Sequence, residues 1–126
     1  MTDLDQTGVV TLKSPVQCHL WEHPERVDTT STEIFDELAT YEDGSHLTRS
    51  LYKCKECGQR YFWEWYEWVD WQEGNDRCYS TLVPVQTDQE IEALRRTSQF
   101  GLLRYSPRIQ WDGTEPPQWH GKADSA

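Results

Sequence analysis

The most distinctive pattern along the chain is a central run of large aromatic residues mixed with acidic ones. Residues Arg60 to Trp71 are rich in tyrosine, phenylalanine and tryptophan, which are favoured in β-strands. Polar turn residues follow at 72–76, and the segment 77–86 is again largely apolar or β-branched. This pattern predicts a long antiparallel β-hairpin. Pro84 cannot donate a backbone hydrogen bond, so we expect an edge or a bulge at that position.

Alternation along the first strand of this hairpin divides its side chains between two faces. One face carries Tyr61, Trp63, Trp65, Val69 and Trp71, and the other carries Phe62, Tyr66 and Trp68. One face must cover the core, whereas the other is either covered by a terminal segment or left exposed to bind a partner. In the exposed case, the partner-binding surface would consist of Phe62, Glu64, Tyr66, Trp68 and Asp70.

Weaker patterns predict the remaining elements. Thr87 and Glu90 form a capping box, and the apolar spacing after it predicts a helix from about Asp88 to Thr97. Three further segments predict a short strand at 9–12, a helical turn at 100–105 and a last strand at 108–111. Residues 33–38 fit either a short helix or a strand. We expect a single domain over residues 1–126, with flexible ends near 1–8 and 121–126.

The low hydrophobic content of the chain suggests that its core needs an additional source of stability. The chain has 126 residues, is 36% hydrophobic and has a mean hydropathy of −0.87, which is lean for a globular core. Its seven tryptophans and six tyrosines partly compensate, since each buries a large area. A structural metal ion would supply further stability to a small domain of this kind.

The charge of the chain restricts its partners. With 22 acidic and 12 basic residues, the formal net charge is −10. Such a field repels nucleic acid and anionic lipid and attracts basic proteins. The acidic start of the chain does not resemble a signal peptide, and no stretch approaches the ~18 apolar residues of a membrane span. We therefore expect a cytoplasmic protein with reduced cysteines.

The four cysteines point to a metal site. Cys54, Cys57 and Gly58 have the Cys-x-x-Cys-Gly spacing of a zinc knuckle, in which two thiolates face one ion and the glycine allows the backbone to turn. Cys18 and His23 form a second pair of ligand types. The sequence therefore predicts a tetrahedral Cys3His site for structural Zn²⁺. A redox-active Cys-x-x-Cys would instead require a helix after its first cysteine, where a strand is predicted.

Two residues compete for places in this site. His19 is an alternative to His23, but adjacent residues rarely both bind one ion, so the spacing favours His23. Cys78 is an alternative to Cys18. The predicted hairpin places Cys78 opposite Trp71, roughly 40 Å along the strand from the knuckle at ~3.3 Å per residue, so we expect it to be a free, partly buried thiol.

Part of the chain resembles a group of small bacterial zinc-ribbon-like proteins. The resemblance spans about Leu51 to Gln86 and lies in the motifs Cys54-x-x-Cys57-Gly58-Gln59-x-Tyr61, Glu64-Trp65-Tyr66-Glu67 and Asp70-Trp71-x-x-Gly74-Asn75-Asp76. It implies a metal-binding role for Cys54 and Cys57 and assigns no catalytic residue. Analogy with other small acidic bacterial proteins suggests an immunity or inhibitor role.

These observations together predict an α+β fold in which a zinc-ribbon-like knuckle leads into a long antiparallel hairpin, packed by one or two short helices. The leading functional hypothesis is a zinc-stabilised protein-interaction module, of immunity or inhibitor type, that binds a basic protein and is not an enzyme. One alternative is a zinc enzyme, which needs an open coordination position and a general base. Another is a nucleic-acid-associated zinc ribbon or an acidic mimic of DNA, and the negative charge opposes direct nucleic-acid binding.

Overall fold

A computed structural model describes residues 10–28, 33–44, 46–68, 72, 77–98, 101–112 and 115–121. The strands in this part of the chain are β1 (Val10–Thr11), β2 (Phe35–Asp43), β3 (Leu47–Cys54), β4 (Arg60–Trp68), β5 (Arg77–Val85), β6 (Tyr105–Ser106), β7 (Arg108–Asp112) and β8 (Gln118–His120). One α-helix, α1, spans Asp88–Arg95, and short 3-10 turns occur at His19–Trp21, Pro24–Arg26 and Gly101–Arg104. The architecture is mostly β and agrees with the predicted small α+β class.

The main sheet has six antiparallel strands in the order β2-β3-β4-β5-β7-β8, and β1 and β6 form a separate parallel pair. The predicted hairpin is confirmed as β4 and β5. Its register differs from the prediction, because Trp68 pairs with Arg77 and Cys78 therefore pairs with Glu67 rather than with Trp71. Pro84 lies in an interior strand, but β7 pairs only with Tyr79–Leu82, so no neighbour on that side requires a proline N–H.

Strand β3 was not predicted from the sequence pattern. Its first half contains Thr48, Arg49 and Ser50, which obscure a hydrophobic alternation, although Arg49 and Ser50 are both buried. The segment at 33–38, which fitted either a helix or a strand, is a strand from Phe35 onward and forms the start of β2, which pairs with β3. Short strand β8 was likewise not expected so close to the prolines at 116 and 117. These strands widen the predicted hairpin into a sheet.

Both faces of β4 are covered. The N-terminal-side core consists of Cys18, Leu20, Phe35, Tyr52, Cys54, Tyr61, Leu82 and Ile109. The helix-side core consists of Leu51, Phe62, Val83, Val85, Ile91, Leu94 and Leu102. The second face, which carries Phe62, is thus covered by α1 rather than by a terminal segment, whereas Cys18 and Leu20 of the N-terminal segment cover the face of Tyr61.

This packing corrects the predicted partner-binding surface. Phe62 is fully buried under α1, and Glu64 is only 4% exposed. Neither side chain is available to a partner. Tyr66 is partly exposed, whereas the side chain of Trp68 and the whole of Asp70 lie outside the described residues.

Helix α1 is held at its N-terminus by the predicted capping box and at its C-terminus by Arg49, a contact that the sequence did not predict. The predicted capping box is present, because the Thr87 hydroxyl accepts from the Glu90 N–H and the Glu90 carboxylate accepts from the Thr87 N–H. At the other end, the buried Arg49 guanidinium donates to the carbonyl oxygens of Thr97 and Ser98 at 2.7 and 2.8 Å. Arg49 therefore ties the end of the helix to the centre of the sheet.

Within the described residues, no helix has both the length and the apolar character needed to cross a bilayer.

Candidate metal centre

The Cys-x-x-Cys segment forms a tight turn between β3 and β4. Cys54 ends β3, its N–H donates to the Gln59 carbonyl, and the Gly58 N–H donates back to the Cys54 carbonyl, both at 2.8 Å. Gly58 has a φ of 81°, in the left-handed region that glycine adopts without strain. The two cysteines thus flank one tight reversal of the chain, and its role as a zinc knuckle stays a prediction.

The N-terminal segment is held beside this turn by contacts from distant parts of the chain. The Gln17 side chain donates to the Gln59 side-chain oxygen at 2.8 Å. The Trp119 indole N–H donates to the Leu20 carbonyl at 2.8 Å, and the Trp119 ring makes an edge contact with Trp21. These contacts place the 3-10 turn at His19–Trp21, and Cys18 just before it, over the knuckle.

Three side chains converge where the two segments meet. The ligand atoms of Cys18, His19 and Cys54 all lie within 4.8 Å of one another. Sulfurs bound to one tetrahedral zinc at ~2.3 Å are about 3.8 Å apart, so a small adjustment would close this group around an ion. Cys18 and Cys54 are 2% and 0% exposed. Cys57 is exposed, yet its thiol lies close enough to affect the pKa of both buried thiols.

The histidine in this group is His19, which the sequence ranked below His23. The His19 Nε2 atom lies 3.7 Å from a Glu56 carboxylate oxygen. Its Nδ1 atom is buried and has no hydrogen-bond partner among the described residues. We infer that Nδ1 is the nitrogen available to a metal, with Glu56 positioned to orient the ring through Nε2, as a carboxylate commonly does for a metal-bound histidine.

His23 occupies a different environment. Its Nδ1 atom is paired with the Glu25 carboxylate at 3.1 Å, and its side chain is 47% exposed. It is not among the three residues whose ligand atoms converge. A backbone hydrogen bond from the His23 N–H to the His19 carbonyl closes the turn between them. The structure therefore brings together Cys18, Cys54 and Cys57 of the predicted set, with His19 in the place expected for His23.

Burial opposes ionisation of the two inner thiols. It raises the pKa of Cys18 to about 12, an effect that the Tyr61 hydroxyl and the Leu20 backbone N–H partly offset. Burial also raises the pKa of Cys54, and the backbone N–H groups of Cys57 and Glu56 act in the opposite direction. These hydrogen-bond donors favour the thiolate form of cysteine, which is the form that binds a metal. Binding of an ion would therefore release the protons of both thiols.

The fourth cysteine lies elsewhere, in agreement with the prediction. Cys78 pairs with Glu67, seven positions beyond the start of β4, which corresponds to roughly 23 Å along the strand. It is a partly buried free thiol, and the other three cysteines are also free. The corrected register shortens the separation from the knuckle without bringing Cys78 into the site.

Comparison with known protein families, with curated proteins and with solved structures finds no match for this chain. The resemblance of the segment Leu51 to Gln86 to zinc-ribbon-like proteins therefore stays a prediction. Any assignment of function depends on the geometry of the site itself.

Proposed function

We propose that this protein is a non-catalytic domain, stabilised by one Zn²⁺ ion bound to Cys18, His19, Cys54 and Cys57, that acts by binding a basic protein partner. The observation that carries the metal assignment is the convergence of Cys18, His19 and Cys54, together with a buried His19 ring nitrogen that has no hydrogen-bond partner in the described structure. Unpartnered buried polar atoms are rare in folded proteins, and a metal ion would satisfy this one.

The nature of the ligands supports a structural zinc rather than a catalytic one. Three thiolates and one imidazole form a tetrahedral Cys3His set, which is typical of structural zinc and leaves no position for water. The ligands come from two segments that are far apart in the chain, so the ion would fasten the N-terminal segment onto the sheet. Its binding energy would then contribute directly to folding.

The assignment of His19 can be tested against His23. We expect His19→Ala to weaken zinc binding by more than about 100-fold, because removal of a direct ligand should exceed the 10–100-fold effect of losing an outer-shell partner. His23→Ala is the matched control and should bind zinc as the wild type does. Competition titration with a chromophoric chelator measures both affinities. The reverse order of effects would contradict the proposed ligand set.

The charge of the protein and the exposed edge of its main sheet support a basic partner. The net charge is −10, and strand β2 forms one end of the main sheet. The side chains of β2 that face solvent are mostly acidic: Asp36, Glu37, Glu42 and Asp43, with Leu38 47% exposed among them. This edge offers carboxylates around an apolar contact, which suits a basic surface that also carries apolar groups.

The shape of β2 indicates how such a partner would bind. The pairing of β2 with β3 is interrupted by irregularities between Glu37 and Ala39 and between Thr40 and Glu42. Bulges and charged side chains on an edge strand discourage the addition of another strand. We therefore propose contact through side chains rather than through a continuous backbone ladder.

Capture from an extract of the source cells tests this partner. The immobilised protein should retain a specific basic protein that is released as salt is raised, because screening weakens contacts between exposed charges. Glu37→Lys should reduce this capture several-fold. Glu115→Lys, which makes the same charge change at an exposed residue outside β2, should leave it nearly unchanged. Capture of no protein, or equal loss in both variants, would contradict the proposed partner surface.

A further inference from the structure

Tyr61 is a buried polar residue whose hydroxyl lacks a clear structural role. It lies at the start of β4, opposite Tyr52 on one side and Pro84 on the other. Its side chain is 0% exposed, and its ring packs edge-on against Phe35 with centroids 5.9 Å apart. The hydroxyl oxygen is buried and has no partner of ordinary hydrogen-bond geometry in the described part of the chain. Packing alone would be served equally well by phenylalanine.

The surroundings of this hydroxyl connect it to the metal centre. Tyr61 belongs to the same core as Cys18 and Cys54, and burial raises the pKa of its hydroxyl, an effect to which the nearby Cys18 thiol adds. A neutral thiol is a weak hydrogen-bond acceptor, whereas a thiolate is a charged and much stronger one. The hydroxyl would therefore gain a good acceptor only when the cysteine is ionised, as it is when it binds a metal.

We propose that the Tyr61 hydroxyl donates a hydrogen bond to the Cys18 thiolate in the zinc-bound site and thereby positions that ligand. This inference rests on the zinc site proposed above. Cys18 belongs to the N-terminal segment, which is remote in sequence from the knuckle, and Tyr61 belongs to the strand that follows the knuckle. The hydrogen bond would thus link the two halves of the site directly, in addition to their link through the ion.

Tyr61→Phe tests this role, with Tyr52→Phe as its matched control. Tyr52 lies opposite Tyr61 on the adjacent strand in the same core and is 8% exposed, and its pKa is raised by burial and by the Glu37 carboxylate. We expect Tyr61→Phe to weaken zinc binding by about 10–100-fold, the usual effect of losing an outer-shell partner. Tyr52→Phe should bind zinc with wild-type affinity in the same chelator competition.

A second measurement separates ligand positioning from a general effect on folding. In the cobalt-substituted protein, removal of a hydrogen bond to sulfur raises the energy of its lone pairs. Tyr61→Phe should therefore move the thiolate-to-cobalt charge-transfer band to lower energy, and Tyr52→Phe should leave the band in place. A purely structural role for Tyr61 would not shift this band.

The outcomes distinguish this inference from the site on which it depends. Weaker zinc binding together with a shifted band in Tyr61→Phe alone would support the hydrogen bond. Zinc binding and a cobalt spectrum in Tyr61→Phe equal to those of the wild type would overturn it while leaving the zinc site intact. A wild-type protein that binds neither zinc nor cobalt would overturn both.

Discussion

The Cys54→Ser variant is expected to lose its zinc and to be largely unfolded at 25 °C. Cys54 is 0% exposed, ends β3 and contributes one of the three converging ligand atoms. Zinc binding in small structural sites supplies on the order of 10 kcal/mol, which is comparable with the ~5–15 kcal/mol total stability of an ordinary domain. Elemental analysis of the purified protein and circular dichroism during urea denaturation measure the two effects.

The control for this variant is Cys78→Ser. Cys78 pairs with Glu67 on the distant part of β4 and is only partly buried. We expect one zinc per chain and a free energy of unfolding within about 1 kcal/mol of wild type, as is usual for a substitution away from key packing and polar sites. A Cys54→Ser protein that keeps its zinc and its stability would remove the basis for a structural metal centre.

The second large effect is expected at the buried ion pair between Arg49 and Glu64. Both side chains are 4% exposed, and two nitrogens of Arg49 donate to the same Glu64 oxygen at 2.8 and 2.6 Å. Glu64→Leu would leave the guanidinium buried without its carboxylate. We expect a loss of about 3–5 kcal/mol in the free energy of unfolding, measured by urea denaturation of the zinc-loaded protein.

Two further variants serve as controls for Glu64→Leu. Asp36→Ala breaks an exposed pair with Lys55, separated by 3.6 Å, and should cost no more than about 1 kcal/mol. The double variant Arg49→Met/Glu64→Leu should be more stable than Glu64→Leu alone, because it removes the uncompensated charge. Its recovery should be incomplete, since the carbonyl oxygens of Thr97 and Ser98 lose their donor. A single-variant loss as small as that of Asp36→Ala would show that the pair is solvated rather than buried.

Much of the fold was predictable because its signals are local. The capping box at Thr87 and Glu90 involves residues three positions apart, and it is present as predicted. The knuckle turn depends on Cys54, Cys57 and a glycine that can adopt a positive φ. The hairpin β4–β5 follows from residue types that favour strands on both sides of a polar turn. None of these features requires knowledge of the rest of the chain.

The register and the burial were less predictable, because neither is encoded within one segment. The position of the hairpin turn could not be read from residues 69–76, so the partner assigned to Cys78 was wrong. Glu64 was expected to be an exposed carboxylate because Arg49, with which it forms a buried ion pair, lies in a strand that was not predicted. A charged residue is buried only when a distant residue compensates it, and that pairing is a property of the assembled sheet.

The sequence alone therefore determined the cysteine spacing of the knuckle, the hairpin after it and the capped helix, since each depends on short-range backbone and side-chain chemistry. Only the tertiary structure decided which histidine joins the cysteines. His19 lies beside Cys54 because Gln59 and Trp119, far away in the chain, hold the N-terminal segment over the knuckle. Such long-range contacts arise from the packing of the whole domain, and spacing along the chain does not record them.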